Sequence, residues 1–391
     1  MISTIQKTMG LTPLGVSKNK LKGGDDSRPR GVFMNEFTLT QQQIITTEAP
    51  HVLVASAAAS GKTQTLVGRI KYLLDNGIPP EEIVAITFTN NAASVMYERL
   101  GYPNGLFIGT IHSYCNYLLR GNAIDTSKII EEERFDDLFE EIKKNPQCLK
   151  HVTHLISDES QDVSTLQFEF YEMINPDNYM YFYDIRQTLF KWRDADPDYL
   201  ISKECDHDVT VYYMRQNFRN LPEILRFAKK FLYRLGPFYE DDSIAMRDSD
   251  GRAHVLEGNY TPSEAVDTLI MTKNKLNTNW GDWFVLCRTN ADIELFKSLF
   301  KKKDVPTDTF KQSELTNSQI QDRLNADTIK ILTVHSAKGL ESPYVLSYNI
   351  RAYNDDEAKV CYVSATRARD FLIWAKTPPK RKKKNGMTNW E

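Results

Sequence analysis

The sequence predicts an α/β protein of two domains, each a mainly parallel sheet flanked by helices. Three observations predict it. Short β-rich runs alternate with helical patterns along the middle of the chain, as they do where helices cover parallel strands. The runs fall into two sets. And 391 residues are enough to give two domains full-sized cores. The first set is HVLVAS, EIVAITFT, LFIGTIH, HLISDE and YMYFYD, and the second is VTVYYM, WFVLCRT, IKILTVH and DFLIWAK. The sets meet near residue 205. The expected division is a disordered polar arm over 1–35, a first domain over 36–205, a second over 206–376 and a basic tail over 377–391. No internal repeat is visible.

Composition narrows the function. The chain is 41% hydrophobic and 26% charged, ordinary for a soluble globular protein. A net charge of −3 announces no general affinity for nucleic acid, so any such surface must be local. Cys115, Cys148, Cys205, Cys287 and Cys361 lie far apart with no Cys-x-x-Cys pair, which excludes a zinc ribbon or iron–sulfur site and reads as reduced thiols. The sequence contains no membrane-length apolar run and no signal-peptide core, so a cytoplasmic protein without a membrane is expected. The tail PPKRKKKNG reads as a solvated charge run.

The chemistry begins at HVLVASAAASGKTQTLVGRI, residues 51–70. A strand, a turn of small residues, Gly61-Lys62-Thr63 and an amphipathic helix make the context of a phosphate loop. Leu66, Val67, Ile70, Leu73 and Leu74 keep helical spacing, and Asn76-Gly77 closes the helix. Backbone N–H groups from Ser60 and Gly61 onward would face the phosphates. Lys62 would reach the β- and γ-phosphates of ATP, and the Thr63 hydroxyl would bind Mg²⁺. From Ser56 to Ser60 every side chain is Ser or Ala, which keeps the loop small but is expected to deny it positive φ. Downstream, Asp158 and Glu159 follow an apolar run: one carboxylate suits Mg²⁺ and its neighbour suits a water to be activated.

With these pieces in order, the chain resembles superfamily 1A DNA helicases of the UvrD, PcrA and Rep type over residues 37 to about 375. The motifs that carry the resemblance are FTLTQQQ, SAAASGKT, TFTNNAA, GTIHS, DESQD, YDIRQTLFKWR, QNFR, TVHSAKGLE and YVSATRA. The resemblance implies two RecA-like P-loop NTPase domains with ATP in the cleft between them. It gives Gln43 and Gln64 to the adenine side, Phe218 to stacking on adenine, Glu341 to the ribose and Gln187 to sensing the γ-phosphate. Arg219 and Arg367 come from the second domain and would reach across to the phosphates, the charge-stabilising role of an arginine finger. Phe88, Thr89, His112, Phe190, Trp192 and His335 are the implied DNA contacts; aromatic faces stack on unpaired bases without reading sequence.

Three substitutions depart from the family pattern. Ala59 stands at a usual glycine, Gln64 at a frequent arginine, and Tyr183 at the glycine before Asp184. The two accessory domains of relatives are also missing: one insertion is confined to about 121–150, expected as one or two helices, and the space for the second, ahead of TVHSAKGLE, is too short for a domain. The resemblance therefore implies a two-domain motor acting 3′ to 5′ on single-stranded DNA or a tailed duplex. Two alternatives stand beside it: a DNA-sensing ATPase working with a nuclease partner or through self-association, and a non-catalytic clamp whose support is Ala59.

Overall fold

The computed structural model describes residues 36–189 and 194–378. The described residues from Phe37 form one compact unit containing two six-stranded sheets and one two-stranded sheet. The first sheet holds β1 (His51–Ser56), β2 (Ile83–Ile86), β3 (Phe107–Gly109), β4 (His154–Ser157), β5 (Asn178–Tyr183) and β6 (Thr210–Met214), in spatial order β3-β2-β4-β5-β1-β6. All its pairings are parallel. Its connections carry α1 (Leu39–Thr46), α2 (Lys62–Asp75), α3 (Asn90–Leu100), α4 (Ile111–Gly121), α5 (Ser127–Glu131), α6 (Asp137–Lys144), α7 (Thr165–Ile174) and α8 (Pro197–Lys203). The segment expected to hold the first insertion is thus the short pair α5 and α6.

A two-stranded ribbon, β7 (Gln216–Asn217) with β8 (Ile244–Ala245), and α9 (Pro222–Lys229) lead into the second sheet. That sheet holds β9 (Val255–Asn259), β10 (Trp283–Cys287), β11 (Thr307–Asp308), β12 (Ile329–Thr333), β13 (Ser342–Tyr348) and β14 (Ala368–Lys376), in order β11-β12-β10-β13-β14-β9. It too is parallel throughout. Its helices are α10 (Pro262–Leu276), α11 (Asn290–Lys301), α12 (Asn317–Asn325) and α13 (Asp355–Ala365). Central strands such as β2, β4 and β10 are buried at every position, because helices cover both faces.

The division expected at residue 205 moves. VTVYYM, which was expected to open the second domain, is β6 and lies beside β1, with Val52 opposite Thr210 and Ser56 opposite Met214. Val209 and Val211 pack on the first core, and the Tyr212 hydroxyl donates to Thr47 Oγ1 at 3.0 Å. The first sheet therefore extends to Met214, and only Arg215 separates β6 from β7.

Helix starts prepare the site. The hydroxyls of Thr38, Thr89 and Thr110 cap α1, α3 and α4 by accepting backbone N–H bonds. No side chain caps α2, which begins behind Gly61 at φ +85°. Its first N–H groups are left for an anion.

Candidate nucleotide site

The phosphate loop is fixed by bonds from the segment that follows β6. The Ala57 N–H donates to the Met214 carbonyl at 2.9 Å, Asn217 Nδ2 to the Ala58 carbonyl at 3.0 Å, and the Phe218 N–H to the Ala59 carbonyl at 3.1 Å. Ala59 sits at φ +56°. The expectation that alanine denies the loop positive φ is therefore corrected: the left-handed conformation is adopted with alanine in place, at a cost of about 1–2 kcal/mol. Gly61 is required by its φ of +85°, and a Cβ there would lie 2.6 Å from Gln41 Nε2, the end of a side chain that would have to shift.

That neighbour corrects a second expectation. Gln43 is exposed on α1, whereas Gln41 is buried and donates through Nε2 to the Ser60 carbonyl at 3.2 Å. One turn of helix decides between them. Thr38 and Gln41 form a reciprocal capping box, which fixes Gln41 at the third helical position and turns it toward the loop.

Lys62 Nζ lies 2.7 Å from Glu159 Oε1. Burial works against its charge, but Glu159, Asp158 and Asp184 outweigh burial and raise its pKa. Glu159 is held below the usual carboxylate range: burial opposes this, and Lys62 and Lys338 prevail. Asp158 is pushed up, by burial and then by the charge of Glu159. Glu159 also occupies the left-handed region, at φ +52°, just past β4. Such strain in a residue with a side chain persists where the surroundings impose it, commonly at functional sites. Gln161 ties it down by donating to Glu159 Oε2 at 2.5 Å, while its own Oε1 accepts the Asp184 N–H at 2.9 Å.

The opposite wall comes from the segment after β7 and from loops of the second sheet. Arg219 Nε donates to Glu341, and its Nη1 to the Thr366 carbonyl at 3.3 Å. Arg367 is buried, and its hydrogen-bond acceptors are neutral oxygens: the carbonyls of Val363 and Leu340, Gln187 Oε1 and Thr366 Oγ1. Burial and then the charge of Arg219 push its pKa down to about 9. Phe218 is half exposed at the cleft edge, and Gln64 is exposed there.

A cleft of about 380 Å³ joins the two walls. Ala59, Ser60, Gly61, Lys62, Thr63, Gln64, Arg99, Glu159 and Gln187 line it from one side, and Phe218, Arg219, Lys338, Gly339, Glu341 and Arg367 from the other. Lys62, Thr63, Glu159, Gln187, Phe218, Arg219, Glu341 and Arg367 are thus brought together as expected neighbours. Tyr183 is buried with its hydroxyl on Glu204, away from this lining.

Two charged lining residues were missed by the sequence reading, along with Gly339. Lys338 lies within TVHSAKGLE, but a lysine before a glycine reads as a solvated charge. It pairs with Asp162, lies 3.5 Å from Glu159 and donates to the Gln187 carbonyl at 3.1 Å. Arg99 closes α3 and gave no signal beyond the ordinary one of a cation in a last helical turn. It brings a guanidinium to the cleft that Gln64 also lines.

The expected DNA contacts divide differently. Phe88 is half-buried, with Lys338 Nζ 5.8 Å from its ring centroid. The Thr89 hydroxyl is occupied as the cap of α3. His112 packs against the insertion: Phe135 and Phe139 lie 5.8 and 5.3 Å away, and Asp136 is 3.3 Å from Nε2. Burial lowers its pKa, as burial and then Arg288 lower that of half-buried His335. Phe190 and Trp192 lie outside the described residues. Across this side of the molecule, Asn91 Nδ2 donates to the Gln312 carbonyl at 3.1 Å, and Gln312 Nε2 donates to the Ser336 and Lys338 carbonyls at 2.7 and 2.9 Å.

The donor set fits magnesium-bound nucleotide. Ser60 Oγ is buried without a hydrogen-bond partner among the described residues, α2 has an open N-terminus, and the lining sets Lys62, Arg99, Arg219, Lys338 and Arg367 against the two carboxylates of Glu159 and Glu341, an excess of cation that suits a polyphosphate. Thr63 and Asp158 would hold the cation. A phosphate loop at the carboxyl end of one parallel sheet, faced by arginines from a second, defines a P-loop NTPase of RecA-like architecture.

Sequence comparisons then specify the family. Residues 37–151 and 134–208 match the UvrD/REP helicase N-terminal domain, and 307–377 the UvrD-like helicase C-terminal domain. The chain is 26% identical over 356 residues to a probable DNA helicase II homolog of Mycoplasma capricolum, covering 65% of this chain and 49% of that one. It is 24% identical over 373 residues to the ATP-dependent DNA helicase PcrA of Staphylococcus aureus, covering 70% and 50%. It is 23% identical over 372 residues to the ATP-dependent DNA helicase Rep of Buchnera aphidicola, covering 70% and 56%. The chain belongs to the UvrD-like superfamily 1 helicases, and it spans about half the length of the curated relatives it matches.

Proposed function

We propose that the protein is an ATP-driven motor that moves 3′ to 5′ along single-stranded DNA and separates short tailed duplexes. One observation supports the reading above all. A single cleft gathers Lys62 and Glu159 from the first sheet and Arg219, Lys338 and Arg367 from the second. Bound MgATP supplies the phosphoanhydride whose hydrolysis drives the cycle. Lys62 and the open N-terminus of α2 bind its phosphates, and Thr63 and Asp158 hold the cation. Glu159, freed from Lys62 when phosphate takes that lysine, accepts the proton of the attacking water. Arg219 and Arg367 stabilise charge that develops on the transferred phosphate, so hydrolysis is linked to closure of the two walls. Phe218 and Glu341 position adenine and ribose; Gln41, by its contact with Ser60, takes the place proposed for Gln43. Phe88, Thr89, His112 and His335, with Phe190 and Trp192, are proposed as the DNA contacts.

With only α5 and α6 as an insertion on the first sheet, little protein remains to grip a duplex. A partner, whether a nuclease or a second copy of the chain, is proposed to supply that grip for long duplexes. The left-handed turn that the loop keeps with Ala59 in place favours the motor over the clamp alternative. No helix among the described residues is long and apolar enough to cross a membrane, and a cytoplasmic location is proposed. The test is ATP hydrolysis with and without single-stranded DNA, followed by unwinding of duplexes with 3′ or 5′ tails. DNA-stimulated hydrolysis and unwinding of the 3′-tailed substrate alone are expected. Hydrolysis indifferent to DNA would refute the motor, and preference for a 5′ tail would refute the polarity.

A further inference from the structure

Asp184 stands at a junction outside the cleft lining. Its Oδ1 accepts the Arg186 N–H at 3.2 Å and Arg186 Nε at 2.6 Å, and its Oδ2 accepts Gln187 Nε2 at 2.8 Å. Arg186 Nη1 continues to Asp241 Oδ1 at 3.1 Å, on the segment after α9. Asp241 also accepts the Ser243 N–H at 3.0 Å and, on Oδ2, the hydroxyl of Tyr362 at 2.9 Å. Tyr362 lies on α13, and Arg367 follows the end of that helix and donates to Gln187 Oε1 at 3.1 Å. The bonds therefore close a ring: Asp184, Arg186, Asp241, Tyr362, α13, Arg367, Gln187 and Asp184 again. The ring crosses between the walls twice.

The two crossings differ in kind. Gln187–Arg367 lines the cleft and joins a neutral oxygen to a cation, so a phosphate oxygen can replace the glutamine as the guanidinium's partner. Arg186–Asp241 is ionic and absent from the cleft lining, and the side chains of Asp184 and Asp241 are fully buried. Nucleotide does not compete for it. Asp184 also dictates the orientation of Gln187. A carboxylate takes hydrogen bonds only from donors, so the amide nitrogen faces Asp184 and Oε1 is turned to Arg367.

We propose that Asp241 is a positioning residue for ATP hydrolysis: acting through Arg186 and Tyr362, it keeps α13, and with it Arg367, in register with the Gln187 loop. This rests on the ATPase reading above. It assigns Asp241 no contact with nucleotide. Its effect should therefore fall on kcat and not on KM for ATP, and it should not follow from stability alone. Burial opposes the charges of both partners, yet Asp184 and Asp241 hold the Arg186 pKa up and Arg186 holds that of Asp241 down, as expected for a built ion pair.

The test uses the full chain with single-stranded DNA. Asp241→Asn keeps the shape of the side chain and removes its charge; kcat is expected to fall at least tenfold with KM for ATP within threefold of wild type. Arg186 stays paired with the buried Asp184 in this variant, so no buried charge is left uncompensated and the melting temperature is expected to stay within a few degrees of wild type. Wild-type kcat in Asp241→Asn, or a loss carried by KM for ATP with kcat unchanged, would overturn the proposal. Should Asp241→Asn not fold, Tyr362→Phe gives the same reading, with a kcat loss of about threefold expected and wild-type kcat overturning. Wild-type protein without DNA-stimulated hydrolysis would instead defeat the ATPase reading itself, a result separable from failure of the variant alone.

Discussion

The two walls of the cleft solve opposite electrostatic problems. On the first wall, Lys62 is surrounded by Glu159, Asp158 and Asp184, and the surplus is negative. The pKa of Asp158 is raised chiefly by burial and then by the charge of Glu159. On the second wall, Arg367 is buried on neutral oxygens beside Arg219, and the surplus is positive. The first wall needs a cation and the second an anion. Lys338 meets part of both needs across the cleft, since it pairs with Asp162 and lies 3.5 Å from Glu159, while Lys62 pairs with Glu159 within the first wall and Arg219 with Glu341 within the second. Magnesium-bound nucleotide is proposed to meet the rest. The comparison teaches that one lysine couples the walls directly, whereas Arg367, held on neutral oxygens, is left for the ligand.

The largest expected effect would come from breaking the first wall. Lys62→Ala or Glu159→Gln should reduce DNA-stimulated hydrolysis to background, the lysine variant by losing phosphate and the glutamine variant by losing the proton acceptor. Glu159→Gln should still bind ATP in a filter or fluorescence titration; hydrolysis near the wild-type rate in either would show that the wall is misassigned. Next comes the second wall. Arg367→Ala should lower kcat by about 10³-fold, the lower range for an arginine finger, with KM for ATP changed little. A loss confined to KM would make Arg367 a binding group and erase the contrast between the walls.

Smaller effects sharpen the comparison. Ala59→Gly relieves a left-handed alanine but adds freedom to the unfolded chain, leaving a net gain of up to about 1 kcal/mol. The melting temperature should rise by about 2 °C, with hydrolysis retained; a large loss of activity would show that the methyl group has a packing role. The smallest effect concerns Asp162, whose pKa is pushed up to about 6, chiefly by burial, although Lys338 pairs with it. A carboxyl raised above its ordinary 3.8 takes up its proton more readily in the folded state. Its contribution is therefore full below 3.8 and is lost as pH rises through about 6. Asp162→Asn mimics the protonated form, so its melting temperature should gain on wild type between pH 5 and pH 7 by a few degrees at most. A constant difference across that range would refute the raised pKa.

Sequence legibility followed chain locality. Gly61-Lys62-Thr63 and Asp158-Glu159 are each adjacent residues just past an apolar strand, so chemistry and context are read in one window. Gln41 was confused with Gln43 because three successive glutamines share chemistry and differ only in helical phase; the Thr38 capping box was the available signal. VTVYYM was legible as a strand but not as a neighbour of β1, since a strand's composition does not name the sheet it joins. Lys338 and Arg99 escaped because a cation gains its meaning from carboxylates or a cleft supplied by distant residues. The association of His112 with Phe135, Phe139 and Asp136 required knowing how the insertion folds back.

The three bonds that hold Ala57, Ala58 and Ala59 to Met214, Asn217 and Phe218 have a mechanical consequence. The loop for the phosphates and the ring proposed for adenine behave as one rigid part. Base and inner phosphates can then seat without moving the machine, and the seat is the same before and after hydrolysis. On the roles proposed above, the outermost phosphate would meet the other part through Arg219 and Arg367, and the ribose would meet it through Glu341. In the terms of a drive train, the nucleotide's body is the mount and its terminal phosphate is the clutch: ADP stays on the mount with the clutch released. If the proposed roles hold, diphosphate should bind nearly as well as triphosphate yet leave the protein in gear with nothing, and the proposed stroke would be timed by how long Arg367 keeps its grip.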